Sequence, residues 1–175
     1  MKALTVTGYI EGYDYVGAIA GEAIGTTSIS SCRSECTIKG DDNIGGIVGE
    51  SYDSVVIRDC YNAGEIRGDG DISGIVGDAN DNTIIENCHN TGAITSDDDD
   101  IGGIAGETPE AGGIQDCYNL GTVSAAGGES KYGAIAGYVY GDDYDDEHYG
   151  GKIKNCYYLN GTAEKGIGAN DNTSE

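Results

Sequence analysis

Apolar residues in this chain come in short β-branched runs closed by glycine, and no run has the 3.6-residue spacing of a useful helix. In the stretch from Ile44 to Gly68, the runs IGGIVG, VVIRDC and GEIRG are separated by GESYDS and YNAG, and GDGD follows before the next run. Runs of this length rich in Ile and Val, bounded by Gly, Asn and Asp, predict strands joined by tight corners. The stretch therefore reads as three short strands and three corners.

The same pattern returns along the whole chain. Isoleucine recurs at Ile19, Ile47, Ile75, Ile104 and Ile135, in steps of 28, 28, 29 and 31. Cysteine recurs at Cys32, Cys60, Cys88, Cys117 and Cys156, always 13 residues after the isoleucine except in the last copy, where the gap is 21. That difference predicts an insertion loop at about residues 139–151. A third column reads Ile38, Ile66, Ile94 and Val123. Coils are expected to begin at Val16, Ile44, Ile72, Ile101 and Tyr132 within a single repeat domain. Residues 4–15 form a partial coil, because GYIEGYDYV aligns without a gap on GEIRGDGDI. Residues 165–175 start a sixth, with Ile167 expected in the column of Ile19.

A period near 28 residues made of strands too short to bury anything alone predicts an all-β protein. The expected fold is a β-solenoid, or parallel β-helix, of about five coils, each with three short strands stacked in register on the next. A right-handed coil is the default for parallel crossovers. Ile29, Ile57, Ile85, Ile114 and Ile153 form a second interior stack, and the five column cysteines fill a corner as small apolar groups. Ile57 and Cys60 are three apart, so both face inward only if the chain bends between them. Ser31, Asp59, Asn87, Asp116 and Asn155 stand at that bend. Ser34, Asn62, Asn90 and Asn119 form a polar column of the kind that stacks as a ladder. Val76, next to Ile75, is expected to face the opposite way.

Composition refines this picture. Thirty-one glycines at fixed repeat positions argue for turns and close backbone approach rather than disorder. Nine basic against 31 acidic residues give a net charge of −22, which repels nucleic acid and anionic membrane and attracts cations. No apolar run reaches the length of a membrane span, so no direct membrane insertion is expected.

GGIVG followed by IxxCYNxGxI resembles the GLUG repeat, found in large bacterial surface and secreted proteins. These include adhesin-like chains and the non-catalytic regions of immunoglobulin A metallopeptidases. The resemblance spans Gly8 to about Gly168 and implies a non-enzymatic structural or adhesive module with an extracellular location. The zinc motif HExxH of such peptidases is absent, since the only histidines are His89 and His148. No catalytic residue is assigned.

Three constellations remain as candidate chemistry. Tyr61, His89, Tyr118 and Tyr157 make a surface column able to stack on host or matrix glycans or proteins, or on itself. Acidic corners suggest a calcium site: Asp78, Asn80 and Asn82 match the first positions of a calcium loop, although Thr83 replaces the required glycine. Asp98 and Asp100 lie in a second corner, and Asp142, Asp143, Asp145 and Asp146 in the insertion. Cys36 stands where other copies have glycine and offers a disulfide to Cys32, or remains a thiol. Neither MKALTVTG nor ANDNTSE reads as a cap. The end coils are thus expected to meet neighbouring domains of a longer chain, or copies of the protein itself in an extracellular filament.

Overall fold

The computed structural model describes residues 1–97, 100–109, 111–126, 131–140 and 152–170. Among these there is no helix, and every strand pairing is parallel. The chain is a β-solenoid of about five coils. The coil from Ile44 shows the unit: Ile44–Gly45, Val48–Ser51, Val56–Arg58, Tyr61–Asn62 and Ile66–Gly68. Three strands were expected from the runs; five shorter ones form instead, in four sheets of five, six, five and nine strands. The run IGGIVG divides at a corner between Gly45 and Val48, and GEIRG shares a sheet with Tyr61–Asn62.

That extra corner corrects one orientation. Ile75 and Val76 are both fully buried, because Ile75 occupies the corner itself and the chain turns before Val76 enters its strand. Adjacent residues face opposite ways only along an unbent strand. The same corner explains a shift at the last coil: Ile167 pairs with Ala136, in the column of Val48 and Val76, not in that of Ile135. Either inward position accepts an isoleucine.

Elsewhere the expected registers hold. Ile57 pairs with Ile85, Ile85 with Ile114, and Ile114 with Ile153; Ile66 pairs with Ile38 and Ile94, and Ile94 with Val123. Thr5–Glu11 lies parallel to Arg33–Lys39 as a partial coil, with Gly8 beside Cys36. Ile47, Ile75, Ile104 and Ile135 are buried, and Ile19 is half-buried at the first coil. All five residues expected at the bend take left-handed backbone, with φ between 50° and 54°. Four of them are bridged in pairs by side chains, Asn87 Nδ2 donating to Asp59 Oδ1 at 2.5 Å and Asn155 Nδ2 to Asp116 Oδ1 at 3.1 Å.

The interior is two apolar clusters, not one. Cys32, Cys60, Cys88 and Cys117 lie in the first, with the isoleucines of the Ile47 and Ile57 columns and Cys156 packed at its margin. Cys36 lies in the second, with Ile38, Ile66 and Ile72. Cys32 and Cys36 are both free thiols, so the candidate disulfide is absent. Arg33–Lys39 runs as one unbent strand, and its alternation points Cys36 inward beside Ser34 and Ile38. In later coils the chain turns at this point, and a Cβ on Gly64 would stand 1.8 Å from the Cys36 carbonyl oxygen.

Between the clusters runs the asparagine ladder. Asn62 Nδ2 donates to Asn90 Oδ1 at 2.8 Å, and Asn90 Nδ2 to Asn119 Oδ1 at 2.9 Å, all three side chains fully buried. Each asparagine also bonds both backbone groups of the glycine two residues on. The ladder leaves no room opposite: a Cβ on Gly46, Gly74 or Gly103 would come within 2.6 Å of an asparagine Cγ. In the first and last coils, where Ser34 and Tyr158 replace asparagine, the equivalent residues are Ala18 and Ala134.

Candidate functional site

Two columns converge beside the corner that the hydrophobic pattern did not reveal. One is Asn43, Asp71, Asp100 and Lys131, each just before the first strand of its coil. The other is Glu22, Glu50, Asp78, Glu107 and Tyr138, paired in register along the second sheet. Their acidic members meet at the middle coils. Carboxylate oxygens of Asp71, Asp100 and Glu107 all lie within 4.8 Å of one another. With Asp41, Asp42, Asp69 and Gly70 they line an open cleft of about 440 Å³.

The partners of each carboxylate differ. Asp42 Oδ1 accepts from the backbone N–H of Asn43 at 3.1 Å and of Asp71 at 3.2 Å, and so closes the corner. Glu107 Oε2 accepts from the Tyr140 hydroxyl at 2.7 Å. Glu50, one coil beyond Asp78, accepts from the Tyr52 hydroxyl. Asp100 is only 5% exposed; its Oδ2 receives Lys131 Nζ at 3.3 Å, and its Oδ1 is buried with no hydrogen-bond partner. Lys131 also sits over the Tyr138 ring, 4.4 Å from its centroid. Asp78 Oδ1 is likewise buried and unpaired.

Crowding of acceptors raises their proton affinity. Burial, then Glu107, Asp100, Asp78 and Asp42, pushes the Asp71 carboxyl up to about 8. Burial, with Glu107 and Glu50, pushes Asp78 up to about 7 against a lowering bond from Asn80. Burial also raises Asp100, to about 6, where Lys131 offsets part of the shift and Glu107 adds to it.

The other acidic candidates fare differently. DANDN is the end of a strand and a corner, with Asn80 N–H donated to the Ser51 carbonyl and Asn82 N–H to that of Asp53 in the neighbouring coil. It is not a loop closed round an ion. Thr83 stands at the glycine position because its hydroxyl is buried against that of Ser51, 3.1 Å away. Among the described residues, of the expected ligands only Asp100 lines the acidic cleft; Asp78 lies near enough for its charge to act on Asp71. Asp98, Asp142, Asp143, Asp145 and Asp146 lie outside the described residues. Asp71 stands before the first strand of its coil and Glu107 ends the second strand of the next, so their spacing along the chain does not join them.

The aromatic column is a stack. The Tyr61 and His89 rings are 4.3 Å apart at 20°, His89 and Tyr118 4.6 Å apart at 9°. Arg33 covers the outer face of Tyr61 at 4.8 Å, and the Tyr61 hydroxyl bonds that of Thr91 at 2.8 Å. Burial in the stack lowers the His89 pKa. Both faces of Tyr61 and His89, and one face of Tyr118, are thus taken up. Tyr157 pairs with Tyr118 along the backbone, yet its ring stands 69% exposed and outside the stack. No protein family, curated relative or solved structure matches the chain. Among the described residues no helix is long and apolar enough to cross a membrane.

Proposed function

We propose that the chain is a non-enzymatic structural and adhesive module of a bacterial cell-surface or secreted protein, a stiff stalk that carries its surface outward. The observation that carries this reading is the central ladder. Buried amides, isoleucines and cysteines all pair with their counterparts one coil away, so the interior is committed to stacking. The resemblance of GGIVG and IxxCYNxGxI to the GLUG repeat supports the extracellular placement. Force spectroscopy tests the stalk: coil-by-coil extension at high force is expected, and collapse of the whole chain at low force would reject it.

A second reading, glycan or protein binding, is favoured by one observation. Tyr157, Tyr158 and Leu159 are consecutive and exposed at the last full coil, where the aromatic stack has ended. On glycan and matrix-protein arrays, Tyr157→Ala with Tyr158→Ala should abolish binding while Tyr118→Ala leaves it. Arrays without signal for the parent chain would leave the stalk alone.

A further inference from the structure

The acidic cleft gathers carboxylates around the buried Asp100 without enough partners to satisfy them. Lys131 supplies a single ammonium to Asp100 Oδ2, and Tyr140 a single hydroxyl to Glu107 Oε2. Asp100 Oδ1, shut off from water, accepts nothing. A carboxylate oxygen stripped of water is unfavourable unless something donates to it or coordinates it.

We propose that Asp71, Asp100 and Glu107 form a calcium site. Oxygens bound to one Ca²⁺ at about 2.3–2.6 Å lie up to about 5 Å apart, and the three carboxylates offer oxygens within 4.8 Å of one another. Magnesium bonds at about 2.0–2.1 Å in a strict octahedron span only about 4.2 Å, so the set fits calcium better. No thiol or imidazole joins the group, which disfavours zinc. Charge agrees: three ionised carboxylates with Lys131 beside them leave two negative charges, balanced by one divalent cation. Three protein oxygens are half of the usual shell, and the open cleft admits water for the rest. Binding joins two successive coils, since Asp71 leads one and Asp100 and Glu107 lie in the next, and thereby ties the middle of the solenoid together.

Isothermal titration of the full chain with CaCl₂, at ionic strength matched with NaCl, tests the site. One calcium per chain is expected, with a Kd of about 10⁻⁵–10⁻³ M. Glu107→Gln and Asp71→Asn should each weaken it at least about tenfold, the loss of one charged ligand. Asp116→Asn, an equal change of charge on another corner, should leave it unchanged. Terbium luminescence sensitised by Tyr138 and Tyr140 gives a second readout, quenched by added calcium. The amide variants remove crowded charge, so circular dichroism should find them folded. Equal affinity of Glu107→Gln and the parent overturns the site. So does an equal loss in Asp116→Asn, which would mean diffuse attraction by the net charge. Heat that Mg²⁺ or Na⁺ reproduces, or none at all with the carboxyls sharing protons instead, overturns it too.

Discussion

Two polar columns run up this solenoid, the asparagine ladder between its apolar clusters and the acidic column at its corner, and only the first satisfies itself. An amide carries two donors and two acceptor lone pairs, so a stack of identical asparagines closes every bond. Asn90 donates to Gly92 and Asn119 and accepts from Gly92 and Asn62. A carboxylate carries acceptors only. Stacking Asp71, Asp78 and Asp100 beside Glu107 therefore leaves unpaired oxygens on Asp78 and Asp100 and raises the proton affinity of the three aspartates, which a proton or a cation must relieve. Repetition stabilises a group that complements its own copy and penalises one that does not.

The sharpest way to break the comparison is to exchange the two chemistries. Asn90→Asp puts a carboxylate against the Gly92 carbonyl and Asn119 Oδ1, turning two donated bonds into repulsions in a fully buried site. It should cost about 3–5 kcal/mol in urea unfolding at pH 7. A cost below 1 kcal/mol would show that the ladder tolerates a charge. The apolar flank supplies a yardstick of the next size: Ile75→Ala should cost about 2–5 kcal/mol by cavity formation. Val76→Ala should follow closely, since both side chains are buried.

The reverse exchange should stabilise. Asp100→Asn gives the acidic column a donor and suits the left-handed φ of 28° at that residue. In EDTA at pH 8 it should raise stability by about 1–2 kcal/mol; a loss would mean that the Lys131 contact outweighs the crowding.

The pH dependence sharpens the same contrast. Asp71, Asp78 and Asp100 bind protons more tightly folded than unfolded, where the carboxyl pKa is near 3.8. Their stabilising contribution is complete below that value and is lost as pH rises through about 6, 7 and 8. The groups facing them are Asp42, Glu50, Glu107 and Lys131, and none donates enough to reverse the sign. Without divalent ions the melting temperature should fall from pH 5 to pH 8, and calcium should restore it most at pH 8. A flat or rising profile contradicts the burial of the carboxyls. The smallest effect belongs to the aromatic stack, where Tyr118→Ala should cost about 0.5–1.5 kcal/mol beyond lost area.

Much of the fold is legible in the residues because a solenoid repeats by translation. The 28-residue period, the parallel register, the positive-φ bend at Asp59 and its equivalents, and the asparagine ladder all relate one residue to its own copy a coil away. Such relations need only counting. How a single coil closes on itself is a different matter. Whether IGGIVG makes one strand or two depends on how its backbone packs against the ladder, where Gly46 has no space for a Cβ. That corner turns Val76 inward. It also brings the Asp71–Asp100 column, which precedes the corner, against Glu107, which follows it. Six residues separate Asp100 from Glu107 in sequence, and only the angle of the corner between them decides that their carboxylates share a cleft rather than face apart.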